Sequence, residues 1–163
     1  MLAQACLAVL LQLGDHIEED SITKSSSLAK YAARYWAMHA WSGGVSLCLQ
    51  KAMEYLFDPD KPHFVAWLQI YNVDTEPKPE SSLYLFTFYH NPSTVTSPLY
   101  YAAFCGLKEL VDHLFIKHPW SLYNPVGFWV TPLVAALAEG HPHVAKFLYD
   151  RGAQVNVHGA CHE

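Results

Sequence analysis

Ten histidines and four cysteines in 163 residues are the side chains from which catalysis or metal binding would have to be built. His141 and His143 are two apart, so on a helix they do not share a face, and His141 falls at a turn, where a structural role is expected. His158, Cys161 and His162 crowd the tail. A tetrahedral metal site needs three or four convergent ligands, and a frayed terminus holds them poorly. Cys6 and Cys48 lie on apolar helical stretches and read as core thiols. Cys105, at the end of a short helix, is expected to be exposed but has no neighbouring base to make it a nucleophile. Asp58 and Asp60 could form an acid pair; the flanking Pro59 and Pro62 make turn chemistry the better reading. No GxSxG, HExxH or Gly-rich phosphate loop is present. The sequence predicts no catalytic, cofactor or metal site and no enzyme; a small redox or hydrolytic enzyme using Cys105 or the His-rich tail is the distant alternative.

The totals point the same way. Hydrophobic residues make up 52% and charged residues 15%, enough for a core and too little charge for wholesale disorder. So little polar surface suggests that an apolar face meets a partner. The net charge of −5, with no Lys/Arg cluster, argues against nucleic acid. The cysteines have no paired spacing, which fits free thiols in a reducing compartment. Ala5 to Leu11 is apolar, but no basic residue precedes it and it is far short of the roughly 20 residues that span a bilayer. The expectation is a cytoplasmic chain with no membrane contact.

The stretches that would position these side chains are helical. Leu2 to Leu13 reads as a helix apolar almost all round, which belongs inside something and hints at lost upstream residues. Leu28 to Trp41, Val45 to Phe57 and Phe64 to Tyr71 follow, with Leu47, Leu49, Met53, Leu56, Phe57, Val65, Trp67, Leu68 and Ile70 as core positions. Trp36, Trp41, Phe64 and Tyr71 are also expected in the core. Residues 75–96 read as a linker of uncertain structure, with a strand-like stretch at Leu83 to Tyr89.

The best-defined stretch is Thr131 to Asn156, TPLVAALAEGHPHVAKFLYDRGAQVN. Thr131 can cap a helix that starts with Pro132 and ends at Gly140; its apolar face is Leu133, Ala135, Ala136 and Leu137. Pro142 starts a second helix, with Val144, Ala145, Phe147 and Leu148 at helical spacing, stopped by Gly152. Ser97-Pro98-Leu99 begins the same pattern 34 residues earlier, with Gly106 matching Gly140. The chain stops just before a further start would fall, which would leave an apolar end face.

This order of residues resembles the ankyrin repeat: a threonine–proline–leucine start, a glycine–histidine turn and a glycine–alanine–x–valine–asparagine exit. The resemblance implies an all-α fold, a short helical region followed by ankyrin repeats. Residues 1–74 would be a helical capping region, needed because two repeats are few to stand alone. Residues 97–163 would be the repeat region, with starts at Ser97 and Thr131, a partial third at the C-terminus, and Leu122 to Val130 as the β-turn finger of the second repeat. The family histidine that ties finger to helices is Tyr100 in one repeat and Val134 in the other, so both fingers are expected to be looser. Binding residues carried over by position are Gly127, Phe128, Val130, Ala138 and Glu139 with the neighbouring Trp129, and Thr94, Thr96, Phe104 and Cys105 in the earlier repeat. The partner implied is a protein.

ACLAVLLQL, LAKYAARYWAMHA, AMEYLFDPDKPHFVAWLQIYNVD and SPLYYAAFCGLKELVDHL further resemble the region that joins the NTPase to the repeats in fungal NACHT–ankyrin proteins. No GxxxxGK[ST] loop is present, so nucleotide binding does not carry over. The resemblance implies a fragment or paralogue of such a sensor. Its alternative partner is a NACHT-type NTPase module, docked on the N-terminal helices through Leu7, Leu10 and Leu11.

Overall fold

The computed structural model describes residues 2–15, 27–41, 49–71, 97–123 and 129–155; among these there are helices and turns and no strand. The chain divides into two compact units, Met1–Lys78 and Pro79–Glu163.

The first unit holds α1 (Leu2–Asp15), α2 (Ser27–Ala40), α3 (Gln50–Leu56) and α4 (His63–Ile70). α1 is less uniformly buried than its composition suggests. Ala3, Cys6, Leu7 and Leu10 recur at helical spacing and are buried, whereas Leu2 is exposed. Leu7 and Leu10 are therefore core residues, which takes them out of reach of the docking expected there. α2 turns an alanine stripe (Ala29, Ala32, Ala33, Ala37 and Ala40) inward, and small side chains let neighbouring helices come close. Trp36 is the one large residue on that stripe. It meets Phe57 at 5.9 Å and Trp67 at 5.8 Å between ring centroids, both edge-to-face, the geometry the ring quadrupoles favour. Phe64 completes the cluster, 5.2 Å from Phe57. The Trp67 indole N–H donates to the Ala33 carbonyl at 2.9 Å, satisfying a polar group that burial would otherwise penalise.

Four expected core residues lie elsewhere: Trp41 and Val65 are exposed, and Ile70 and Tyr71 are half-buried. Of the third expected helix, Val45 to Cys48 lie outside the described residues, and the helix itself starts at Gln50. Asp58 Oδ1 accepts the Asp60 backbone N–H at 3.1 Å, so this aspartate closes a turn.

The second unit holds two helix–turn–helix units: α5 (Pro98–Phe104) with α6 (Lys108–Lys117), and α7 (Pro132–Ala138) with α8 (Pro142–Asp150). The same local rules build both. Ser97 Oγ accepts the Tyr100 N–H at 3.4 Å and Thr131 Oγ1 accepts the Val134 N–H at 3.3 Å, each followed by proline in the first helical turn. Gly106 (φ +70°) and Gly140 (φ +78°) take the left-handed conformation that ends each first helix. The next residue's N–H then reaches back, Leu107 to Ala102 at 3.0 Å and His141 to Ala136 at 2.8 Å.

α6 has no such glycine. It ends at His118 (φ −137°), and a 3-10 turn, Pro119–Leu122, follows. Ser121 Oγ donates to the His118 carbonyl at 2.6 Å, and Leu122 is buried. Two expected apolar contacts of the second repeat come out differently: Leu137 is exposed and Phe147 is half-buried.

Candidate functional site

The candidate surface lies where Trp129 meets Tyr100 of α5 and Glu139 at the end of α7. Trp129 is held at three atoms. Its backbone N–H donates to the Tyr100 hydroxyl at 3.1 Å, its indole N–H donates to Glu139 Oε1 at 3.0 Å, and its carbonyl accepts the Thr131 N–H at 2.8 Å. The last bond spans only one residue, Val130, whose φ of +69° is rare for a β-branched side chain. Such backbone strain persists only where neighbouring contacts impose it. Here those are Trp129 on one side and the Thr131 cap on the other.

Residues 124–128 of the expected finger lie outside the described residues, but at Trp129 and Val130 the chain is thus more firmly tied than the missing histidine implied. Tyr100 stands in for it by placing a hydroxyl within reach of the Trp129 amide, while its own ring is fully buried. Glu139 is half-buried, Ala138 is exposed beside it, and Trp129 and Val130 are half-buried. These four of the expected binding residues come together. Gly127, Phe128, Thr94 and Thr96 lie outside the described residues. Phe104 is half-buried, and Cys105 is buried, which corrects the expectation that this thiol faces outward. Cys105 follows a helix whose buried face continues through Ala103 to Gly106, and its own side chain joins that face.

His141 joins the two repeats. Its Nε2 lies 3.0 Å from the Phe104 carbonyl; a carbonyl only accepts, so this nitrogen carries the proton. The ring lies directly over Gly106, so close that a Cβ there would sit 2.6 Å from Nδ1. Burial lowers the imidazole pKa below its ordinary 6.5, partly opposed by the bond to Phe104. Arg151 makes a second clasp across the repeats. Its guanidinium lies 3.4 Å from the Phe147 ring centroid and 5.5 Å from that of Phe115, and it donates to Asp112 Oδ1 at 3.2 Å. Neither the Glu139–Trp129 bond nor the Arg151 clasp was legible beforehand. An acidic residue two positions before the turn histidine was the available signal for the first.

Among the described residues no three His, Cys, Asp or Glu side chains converge as a metal site requires. Cys6 is buried, and that burial pushes its thiol pKa up, away from nucleophilic chemistry. No helix of the described residues is long and apolar enough to cross a membrane.

Residues 130–160 match the family model of the ankyrin repeat, which covers α7, α8 and the Gly152 exit. The chain is also similar to azaphilone pigments biosynthesis cluster protein L of Monascus ruber, 30% identical over 166 aligned residues. The alignment takes in 94% of this chain and 34% of that relative, so the chain spans about a third of the relative's length. No solved structure gives a significant match. The helical fold and the repeat are as the sequence implied.

Proposed function

We propose that this chain is a non-catalytic protein–protein interaction module whose binding surface is Trp129, Val130, Ala138 and Glu139. The observation that carries this reading is the fixed indole of Trp129, bonded through its ring to Glu139 and through its backbone to Tyr100. An aromatic side chain already held in place loses little freedom on binding and excludes water over a large area, the properties of an interface anchor. Exposed Ala138 leaves room for a partner's side chain beside it. The test is quantitative affinity enrichment with the chain against its Trp129→Ala and Glu139→Gln variants. One set of proteins lost from both variants supports the reading; equal enrichment by all three contradicts it.

The finer reading is a cytoplasmic fragment or paralogue of a fungal NACHT–ankyrin sensor. It draws on the resemblance of the first unit and on the similarity to a protein of the fungus Monascus ruber. In a second reading the first unit docks on a NACHT-type NTPase module. Exposed Leu28, Tyr31 and Met38 on α2 favour it, in place of the buried α1 leucines. Loss of binding to an isolated NACHT module on Tyr31→Ala and Met38→Ala, with Trp129→Ala silent, would establish this second surface over the first.

A further inference from the structure

α2 carries a second apolar face besides its buried one. Leu28 (61% exposed), exposed Tyr31, half-buried Tyr35 and Met38 (56% exposed) recur three, four and three residues apart, so they form one stripe on the side away from the alanines. This is the a/d spacing by which one helix seats on another. The aromatic part of the stripe is already ordered. The Tyr31 and Tyr35 rings lie 5.0 Å apart, and the Tyr31 hydroxyl lies 3.1 Å from His39 Nε2.

One edge of the stripe is cationic. Lys30 and Arg34, both exposed and one turn apart, run along it, and exposed Trp41 follows. The Arg34 guanidinium is held over two rings, 5.5 Å from the Tyr35 centroid and 5.7 Å from that of Tyr71. The sequence places no Asp or Glu between Asp20 and Glu54, in a chain whose 15 acidic residues outnumber its 10 Lys and Arg. A basic edge on an apolar seam is therefore a local reversal of the chain's overall charge. Charge complementarity of that kind steers and selects a partner.

We infer that this face of α2 receives an acidic amphipathic helix, apolar at a/d spacing and carrying carboxylates four residues apart on the edge that meets Lys30 and Arg34. The inference rests on the reading in which the first unit docks through α2, and it supplies the chemistry of that partner. Two other occupants fit less well. A second copy would set Lys30 and Arg34 against their own like charges, since α2 offers no carboxylate to separate them. An anionic membrane attracts each surface Lys or Arg by only about 1 kcal/mol, a weak pull for the two cations of α2 in a chain of net charge −5.

The experiment titrates the full chain against a fluorescein-labelled peptide of about three heptads, with Leu at a and d and Glu at e and g, and against its twin with Lys at e and g. Fluorescence anisotropy should show the Glu peptide binding at roughly 10 μM and the Lys peptide at least about tenfold more weakly. The Lys30→Glu/Arg34→Glu chain, changed only at exposed positions, should reverse that preference. Met38→Ala should weaken the Glu peptide by about fivefold, while Trp129→Ala leaves it unchanged. Equal affinity for the two peptides, no complex at about 1 mM peptide, or an unreversed preference in the doubly substituted chain would each overturn the inference. So would self-association of the chain that is lost on Met38→Ala, or binding to phosphatidylserine–phosphatidylcholine vesicles (roughly 1:3) that Lys30→Glu/Arg34→Glu abolishes. An isolated NACHT module separates the two readings. If Tyr31→Ala and Met38→Ala abolish its binding while the charge reversal does not, docking through α2 stands and the acidic helix is refuted.

Discussion

Replacing Gly106 or Gly140 with alanine separates the cost of a backbone conformation from the cost of filling the space between the repeats. Both glycines sit in nearly the same left-handed conformation, φ +70° and +78°. An alanine there is penalised by about 1–2 kcal/mol, offset by about 0.4–1 kcal/mol from the stiffer unfolded chain. Gly140→Ala should therefore cost about 1 kcal/mol, since nothing lies within 4 Å of the new methyl. At Gly106 the methyl would lie 2.6 Å from His141 Nδ1 and 2.7 Å from two ring carbons, closer than any Cβ is tolerated. The ring must move, adding an overpacking cost of about 1–3 kcal/mol and weakening the bond to Phe104, a loss of about 1 kcal/mol. Gly106→Ala should thus exceed Gly140→Ala by about 2–4 kcal/mol. Native-state amide exchange, read at Val111 in α6 and Leu148 in α8 of each variant against the parent chain, reports both values. Equal protection in the two variants would refute the seating of His141 on Gly106.

Three further outcomes follow from the same contacts. His141 has a folded-state pKa below 6.5, so between the two values the unfolded chain binds more protons and stability rises with pH. Its contribution is full above pH 6.5 and is lost as pH falls through the folded value; the His141→Gln variant should show a flatter stability profile in urea titrations from pH 7.5 to about 5. Tyr100→Phe removes the acceptor for the Trp129 N–H and should cost about 1 kcal/mol, with faster exchange at that one amide. Val130→Gly relieves a left-handed β-branched residue and should raise stability by about 0.5–1 kcal/mol in denaturant unfolding, even though glycine loses more entropy on folding.

The fold was legible wherever local chemistry alone decides it. Ser97-Pro98 and Thr131-Pro132 start helices whatever surrounds them, and Gly106, Gly140 and Gly152 stop them, so these boundaries could be read directly. The helix face that ends up buried was harder, because it depends on what stands opposite. Leu137 looks like core beside Leu133 and Ala136, yet it points to the side that Ala103 turns toward the next repeat. Cys105 failed in the opposite sense: position in a repeat pattern marked it as surface, while its small apolar side chain is buried. Composition makes α1 apolar all round, yet among its described side chains only Ala3, Cys6, Leu7 and Leu10 are buried; on the outer side Ala5 and Ala8 leave little to bury and Leu2 is exposed. At the candidate site, residue type and place make Trp129 a candidate, whereas its two side-chain-mediated bonds, to Tyr100 and Glu139, are contacts that no spacing rule encodes.

Site-specific photocrosslinking from Ala138 tests the central claim most directly. This position is exposed and adjoins the Glu139 that fixes the Trp129 indole. A benzophenone side chain placed there, in the cells that express the protein, should capture one protein partner, and the adduct should disappear on Trp129→Ala while a crosslinker at exposed Lys51 captures none. An adduct that survives Trp129→Ala, or the same pattern from Ala138 and Lys51, would contradict the assignment of this surface as the binding site.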